Sequence, residues 1–427
     1  VACVGKTVFK KGLGTDSRSE AELRALPFIR ECSTTIREAQ LKATAAPLDP
    51  VAADALELHT DRQIVKGIAP VSAADEATLA ETLALIDDHI AGRAEQIEHE
   101  KGWAKAQEFI GIARGTRTPL NVHLDKWLKE NGRKSRRTLG DYRRSLASLM
   151  AFAQKSGRSP TIETFSARRH AWEYASHLAD NGMHPRTLNK YLSGLSSYWK
   201  WMLRKGLASE NPWRDQALPK SDTHQTDKRK RKRAFTDVEL SRLLYDGSPE
   251  RLLREFMLIA ALSGMRINEI AWIRVRDVDP KYLTIEIPTA KTEAGIRLVP
   301  IHSKLKRVIL DRLQGKAPDD WLFPELPEQS ESRESERYMP VSKHFGRYRQ
   351  DLGVHEKDAD QRQSRVDFHS FRRWFVTQVQ RTNLPRDVIK AIVGHKDGSV
   401  TFDIYAGGPS IKQFRAVVEA VKLPAKK

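Results

Sequence analysis

Cysteine is almost missing: Cys3 and Cys32 are the only two in 427 residues. Their spacing fits no metal-ligand pattern and two thiols cannot staple a chain of this size, which excludes a disulfide scaffold and fits a reducing compartment. Long apolar runs are missing too. None approaches the ~20 residues that span a bilayer, and no charged-then-apolar leader opens the sequence, so no membrane partner and a cytoplasmic location are expected. Also absent are a phosphate-cradling glycine loop with its Lys-Ser/Thr, a zinc-protease helix motif and a carboxylate cluster for paired magnesium ions. No cofactor and no metal is therefore expected. The local string Glu98-His99-Glu100 does not change this, because adjacent helix positions point around the helix rather than toward one ion.

What is present is basic. Lys and Arg outnumber Asp and Glu by 73 to 55, a net charge of +18, and the pI is near 9.8. Such a surplus points to a polyanionic partner, with nucleic acid first and an anionic membrane second. Hydrophobic residues make up 40%, enough for globular folding, and the length calls for several cores rather than one.

The periodicity predicts a mainly α protein with a small antiparallel sheet, an α+β multidomain chain. Residues 1–115 open with an alternating basic segment (Thr7, Phe9, Lys11), a Gly-Leu-Gly turn and a helix capped by Ser17 or Ser19, followed by an Ala/Glu/Leu-rich helical stretch. Residues 116–215 read as a compact helical domain. Its apolar faces are Leu120, Leu124, Trp127 and Leu128, then Tyr142, Leu146, Leu149 and Met150, then Leu188, Leu192, Leu195, Trp199 and Met202. Its polar faces carry Arg133, Lys134, Arg136, Arg137, Arg186 and Lys190. Singly these are solvated surface; clustered on a +18 chain they are candidate phosphate contacts. Residues 216–233 end in six consecutive cations, Lys228, Arg229, Lys230, Arg231, Lys232 and Arg233, a run that repels itself and reads as an extended strap along DNA. Residues 234–427 begin with a capping box at Thr236 and Glu239. Helices are expected near 249–263, 303–314, 340–351, 369–382, 385–393 and 409–422, with a hairpin formed by YLTIEIP and GIRLVPI around Lys291.

Within this last region the segment DFHSFRRWF has two readings. Phe371, Trp374 and Phe375 suit the core face of an amphipathic helix, yet His369 and Arg372 stand three apart and can converge on one phosphate. An enzyme that works on DNA without metal must neutralise phosphate charge with side chains, and the forked guanidinium does this with two parallel hydrogen bonds. Arg266 follows a glycine in ALSGMRINEI, Lys291 lies in AKTEAGIRLVPI, His395 in VGHKDG and Tyr405 in DIYAGG.

The ordered series Arg, hairpin Lys, His-x-x-Arg, Gly-His and Tyr resembles the tyrosine recombinases, or phage-type integrases. The likeness is strongest from Thr236 to Val421. It extends by architecture to 116–215, similar to the family's SAM-like core-binding domain, and more weakly to an arm-site module at the start. One departure is visible: ten positions separate His395 from Tyr405, one more than is usual in the family, and the loop KDGSV is where the extra residue would be absorbed.

The resemblance implies a C-shaped clamp on double-stranded DNA and a metal-independent integrase of a prophage or genomic island. Four copies would act on two sites, with DNA-bending accessory proteins as further partners. It implies Tyr405 as nucleophile, Arg266 and Arg372 on the non-bridging oxygens, Lys291 as acid for the leaving oxygen, and His369 and His395 on the phosphate. Glu269, one turn after Arg266, is a candidate buttress. Tyr348 and Tyr338 are the fallback nucleophiles. The C-terminal stripe Ile411, Phe414, Val418 and Val421 could close its own domain or dock on a neighbouring copy, and the second is favoured. A type IB topoisomerase and a DNA-binding regulator without catalysis are the competing readings.

Overall fold

The computed structural model describes residues 10–15, 21, 24, 25, 28, 32, 48–132, 134–218, 232–287, 297–328, 336–357, 364–394 and 409–426. These belong to two compact units, Val1–Asp222 and Thr223–Lys427. Among the described residues the fold is mostly helical with one small antiparallel sheet. No helix among the described residues is long and apolar enough to cross a membrane.

Among its described residues the first unit holds two apolar clusters. In the first, α1 (Pro50–Gly67), α2 (Ala73–Lys101) and α3 (Trp103–Ala113) enclose Leu58, Ile86, Ile90, Ile97 and Phe109. Ser72 caps α2 by accepting from the Asp75 amide at 3.1 Å, and Gly102, at φ 85°, ends it. The second comprises α4 (Leu124–Glu130), α5 (Arg136–Lys155), α6 (Arg168–Asp180) and α7 (Pro185–Arg204). The stripe Leu188, Leu192, Leu195, Trp199 and Met202 is buried, as its spacing predicts. Each such side chain contributes roughly 1.5–3 kcal/mol by leaving water. Polar ends of the aromatics are also used: Tyr198 donates to the Leu120 carbonyl at 3.0 Å and Trp201 to the Glu130 carboxylate at 2.7 Å.

The second unit starts with the expected capping box. Thr236 Oγ1 accepts from the Glu239 amide at 3.1 Å while Glu239 Oε2 accepts from the Thr236 amide at 2.8 Å. This opens α8 (Asp237–Ser241), followed by one π-helical turn. Nine of the thirteen residues of the central helix α9 (Arg251–Ser263) are buried, and it ends on Gly264. After α10 (Ile267–Ala271) come β1 (Val278–Asp279), β2 (Thr284–Ile287) and β3 (Arg297–Pro300), all antiparallel, with Ile285 opposite Val299 and Ile287 opposite Arg297. The hairpin tip, with Lys291, lies outside the described residues. The remaining helices are α11 (Lys306–Leu313), α12 (Met339–Asp351), α13 (His369–Gln380), α14 (Arg386–Ile392) and α15 (Ile411–Glu419).

Two expectations are corrected here. Lys232 and Arg233 are not part of an unpacked strap. Arg233 forks onto Glu239 with two bonds of 2.7 Å and reaches Glu356 at 2.6 Å, and its amide donates to the Arg365 carbonyl at 3.0 Å. Lys232 donates to the Ser364 carbonyl at 2.7 Å and pairs with Asp367. Carboxylates distant in sequence neutralise this end of the run, so self-repulsion does not keep it extended; Lys228 to Arg231 lie outside the described residues. The C-terminal stripe is likewise used at home rather than on a neighbour. Val417, Val418 and Val421 are fully buried in their own domain's core and Phe414 nearly so, leaving Ile411 exposed. Polar ties fix α15 there: Glu419 accepts from the Ser303 amide and hydroxyl at 2.7 and 2.8 Å, and His302 meets the Val421 carbonyl at 3.1 Å.

Candidate active site

Gly264 sets the geometry. At φ 67° it adopts the left-handed conformation that stops α9, and an added Cβ would stand 2.5 Å from Phe375 Cδ1. Helix α13 therefore packs directly on this turn. That approach lets Arg372, 3% exposed, donate to the Gly264 carbonyl at 2.9 Å and to the Val393 carbonyl. Two residues past the glycine, Arg266 starts α10. Glu269 accepts from the Arg266 amide at 2.8 Å and from its guanidinium at 2.6 Å.

A residue that the sequence reading missed completes the cluster. Arg297, at the start of β3 with its side chain 4% exposed, donates from Nε to the Ile392 carbonyl at 2.6 Å and grips Glu269 at 3.0 and 3.3 Å. Ile392 and Val393 sit where α14 runs out of intrahelical donors, so their carbonyls need outside partners. Two different guanidiniums serve them. The chain then turns at Gly394, φ 65°, immediately before His395.

The charges act on one another. Burial by itself would raise the Glu269 carboxyl, but Arg297, then the Arg266 amide and guanidinium, outweigh it and hold the group below the usual carboxylate range. Burial, reinforced by Arg266 and Arg297 against Glu269, pulls Arg372 down to about 9, still a cation at neutral pH. His369 heads α13 as an exposed residue. Desolvation of its ring and the field of Arg373, Arg372 and Arg266 push it down to about 4, so at pH 7 it is a neutral imidazole able to give or take a hydrogen bond.

Arg266, Glu269, His369 and Arg372 thus come together, while Lys291, His395 and Tyr405 lie outside the described residues. Neither fallback tyrosine suits a nucleophile. Tyr348 donates to the Leu243 carbonyl at 2.8 Å and burial pushes it up to about 12; Tyr338 is a half-buried ring packed on the core. In the helical unit, Arg137 and Arg186 are exposed and Arg136 is half-buried. Lys190 of α7 pairs with Asp141 of α5, which Arg144 also meets. This pair ties α5 to α7.

Comparison with known proteins gives the family. The model of the phage integrase family matches residues 239–408, and that of the phage integrase N-terminal SAM-like domain matches 124–206. Together they cover more than half of the chain. The chain belongs to the phage integrase family. Among its relatives, the tyrosine recombinase XerC of Xanthomonas campestris pv. campestris is 30% identical over 170 residues, 40% of this chain and 50% of that protein. The chain thus spans about half the length of that relative. XerC of Pseudomonas savastanoi pv. phaseolicola is 23% identical over 303 residues, 66% of this chain and 90% of that protein. Among solved structures, a lambda integrase dimer bound to a COC′ core site aligns with a TM-score of 0.47 at 19% identity, covering 70% of this chain and 77% of that one.

Proposed function

We propose that this phage integrase family member is a site-specific DNA recombinase that cleaves and rejoins strands through a 3′-phosphotyrosyl intermediate. The observation that carries the proposal is the convergence of Arg266 and Arg372 beside His369, with Glu269 locked behind them. Such an arrangement has a direct chemical use. Attack on a phosphodiester builds negative charge on two non-bridging oxygens, and cations already fixed by the fold stabilise that charge without reorganising.

In the proposed step the Tyr405 oxygen bonds to phosphorus as the bond to the 5′-oxygen breaks. The phenolic proton leaves toward neutral His369 or water, and Lys291 protonates the departing 5′-oxygen. A tyrosine hydroxyl titrates near 10 when free, so it needs the surrounding cations to become a nucleophile at neutral pH. The phosphotyrosyl ester keeps the bond energy, and a 5′-hydroxyl from another strand reverses the step. His395 completes the phosphate contacts. Two duplexes present four strands, so four copies acting together are the natural stoichiometry, with integration or excision of a mobile element as the outcome.

Residues 116–215 would grip the duplex through Arg136, Arg137, Arg186 and Lys190, residues 1–115 would serve as an arm-like module, and Lys228 to Arg231 would lie along phosphates in the linker. A suicide duplex, nicked so that the cleaved fragment diffuses away, tests the reading. The expected result is a covalent protein–DNA band that forms without added divalent ions. A chain that binds the duplex but never becomes attached contradicts it and leaves a DNA-binding regulator; attachment irrespective of sequence points to a topoisomerase.

A further inference from the structure

The geometry points to Arg297 as a positioning residue for the proposed strand-cleavage step, tying Glu269 to the end of α14. This inference rests on the function proposed above. It concerns a residue that touches neither the reacting phosphate nor the nucleophile in that scheme.

Three elements meet at this one side chain. Its Nη atoms hold Glu269, which in turn holds the Arg266 amide and guanidinium. Its Nε holds the Ile392 carbonyl at 2.6 Å. Its own backbone begins β3, the strand that leads away from the Lys291 hairpin. The next carbonyl along, that of Val393, is taken by Arg372. Arg266 and Arg372 therefore share a frame whose hidden member is Arg297. A buried ion pair is a costly way to gain stability, because desolvating both ions consumes most of their attraction. A pair with side chains 4% and 8% exposed that joins three segments bearing proposed site residues gains something else, a defined spacing between them. Only a guanidinium can do this, since its planar fork serves a carboxylate and a separate carbonyl at once, whereas an ammonium is a single point charge.

The experiment uses the full chain on a suicide duplex, measuring single-turnover cleavage and duplex affinity separately, below the melting temperature of each variant. Arg297→Gln is expected to cleave roughly 10²-fold more slowly, the loss that about 1 Å of misplacement produces, with affinity within about threefold of the parent. Arg297→Lys, which keeps the charge and guards against misfolding of the first variant, is expected to recover part of the rate but not all. Parent-like cleavage by Arg297→Gln overturns the inference. So does a fall in affinity proportional to the fall in rate, which marks a residue needed only for folding. Absence of any adduct with the parent chain overturns the underlying function and this inference with it.

Discussion

On the helical unit Lys190 and Arg144, with 47% and 56% of their side chains exposed, meet an Asp141 whose side chain is 12% exposed, whereas inside the C-terminal unit Arg297 and Glu269 are both withdrawn from solvent, at 4% and 8%. The same chemistry does different work in the two places. A cation that stands in solvent is screened by water and salt, and its pairing contributes little to stability. Buried pairs are rigid because every alternative leaves a charge without a partner. Affinity for a polyanion suits the first kind, and a fixed transition-state geometry suits the second.

Removing the buried anion should break this contrast most severely. Glu269→Gln leaves Arg297 and Arg266 without their shared carboxylate, and a loss of about 3–5 kcal/mol in unfolding free energy is expected in denaturant titrations. Next comes Arg372→Ala, expected to slow cleavage of the suicide duplex by roughly 10²-fold or more, in line with loss of an oxyanion donor; rates like the parent's would remove Arg372 from the site. Gly264→Ala probes the turn beneath both. Positive φ and the Phe375 contact should together cost about 1–3 kcal/mol, read as a lower melting temperature.

Smaller still is the exposed side of the comparison. Lys190→Ala should change stability by less than about 1 kcal/mol, while the slope of log affinity for duplex against log salt falls by about 1. An unchanged slope would take Lys190 out of the proposed DNA face. A pH effect separates the regions further. His369 is pushed down to about 4, below the ordinary histidine value, so between that pH and about 6.5 the unfolded chain binds the proton and the folded one does not. Stability linked to His369 is complete above that window and is lost as pH falls through it. His369→Gln should flatten this part of a stability–pH curve.

How far the sequence disclosed all this depended on the range of the interactions. Helices were legible wherever apolar residues repeated over several turns, as along α7 and α13, and the capping box at Thr236 marked its helix start because both partners lie within one turn. Arg297 was not legible. Its strand neighbours give it the look of a solvated hairpin residue, and its partners lie 28 and 95 positions away. The end of the cation run was misread for the same reason, since Arg233 is neutralised in part by Glu356, 123 positions on. For α15 the stripe itself was clear. No pattern within a helix says which surface it covers, and here Val417, Val418 and Val421 close their own core. In the site, Arg266, His369 and Arg372 were visible as an ordered motif, and Glu269 through its spacing of three from Arg266; the burial of Glu269, Arg297 and Arg372 that makes a rigid frame was not.

The central claim is that one phenol oxygen becomes covalently joined to DNA. Proteolysis of the adduct captured on a suicide duplex, followed by mass spectrometry of the nucleotide-bearing peptide, measures this directly. The account predicts the added nucleotide mass on Tyr405 and no adduct from Tyr405→Phe, which should still bind the duplex. Nucleotide mass on any other residue, or a stable adduct from Tyr405→Phe, would contradict it.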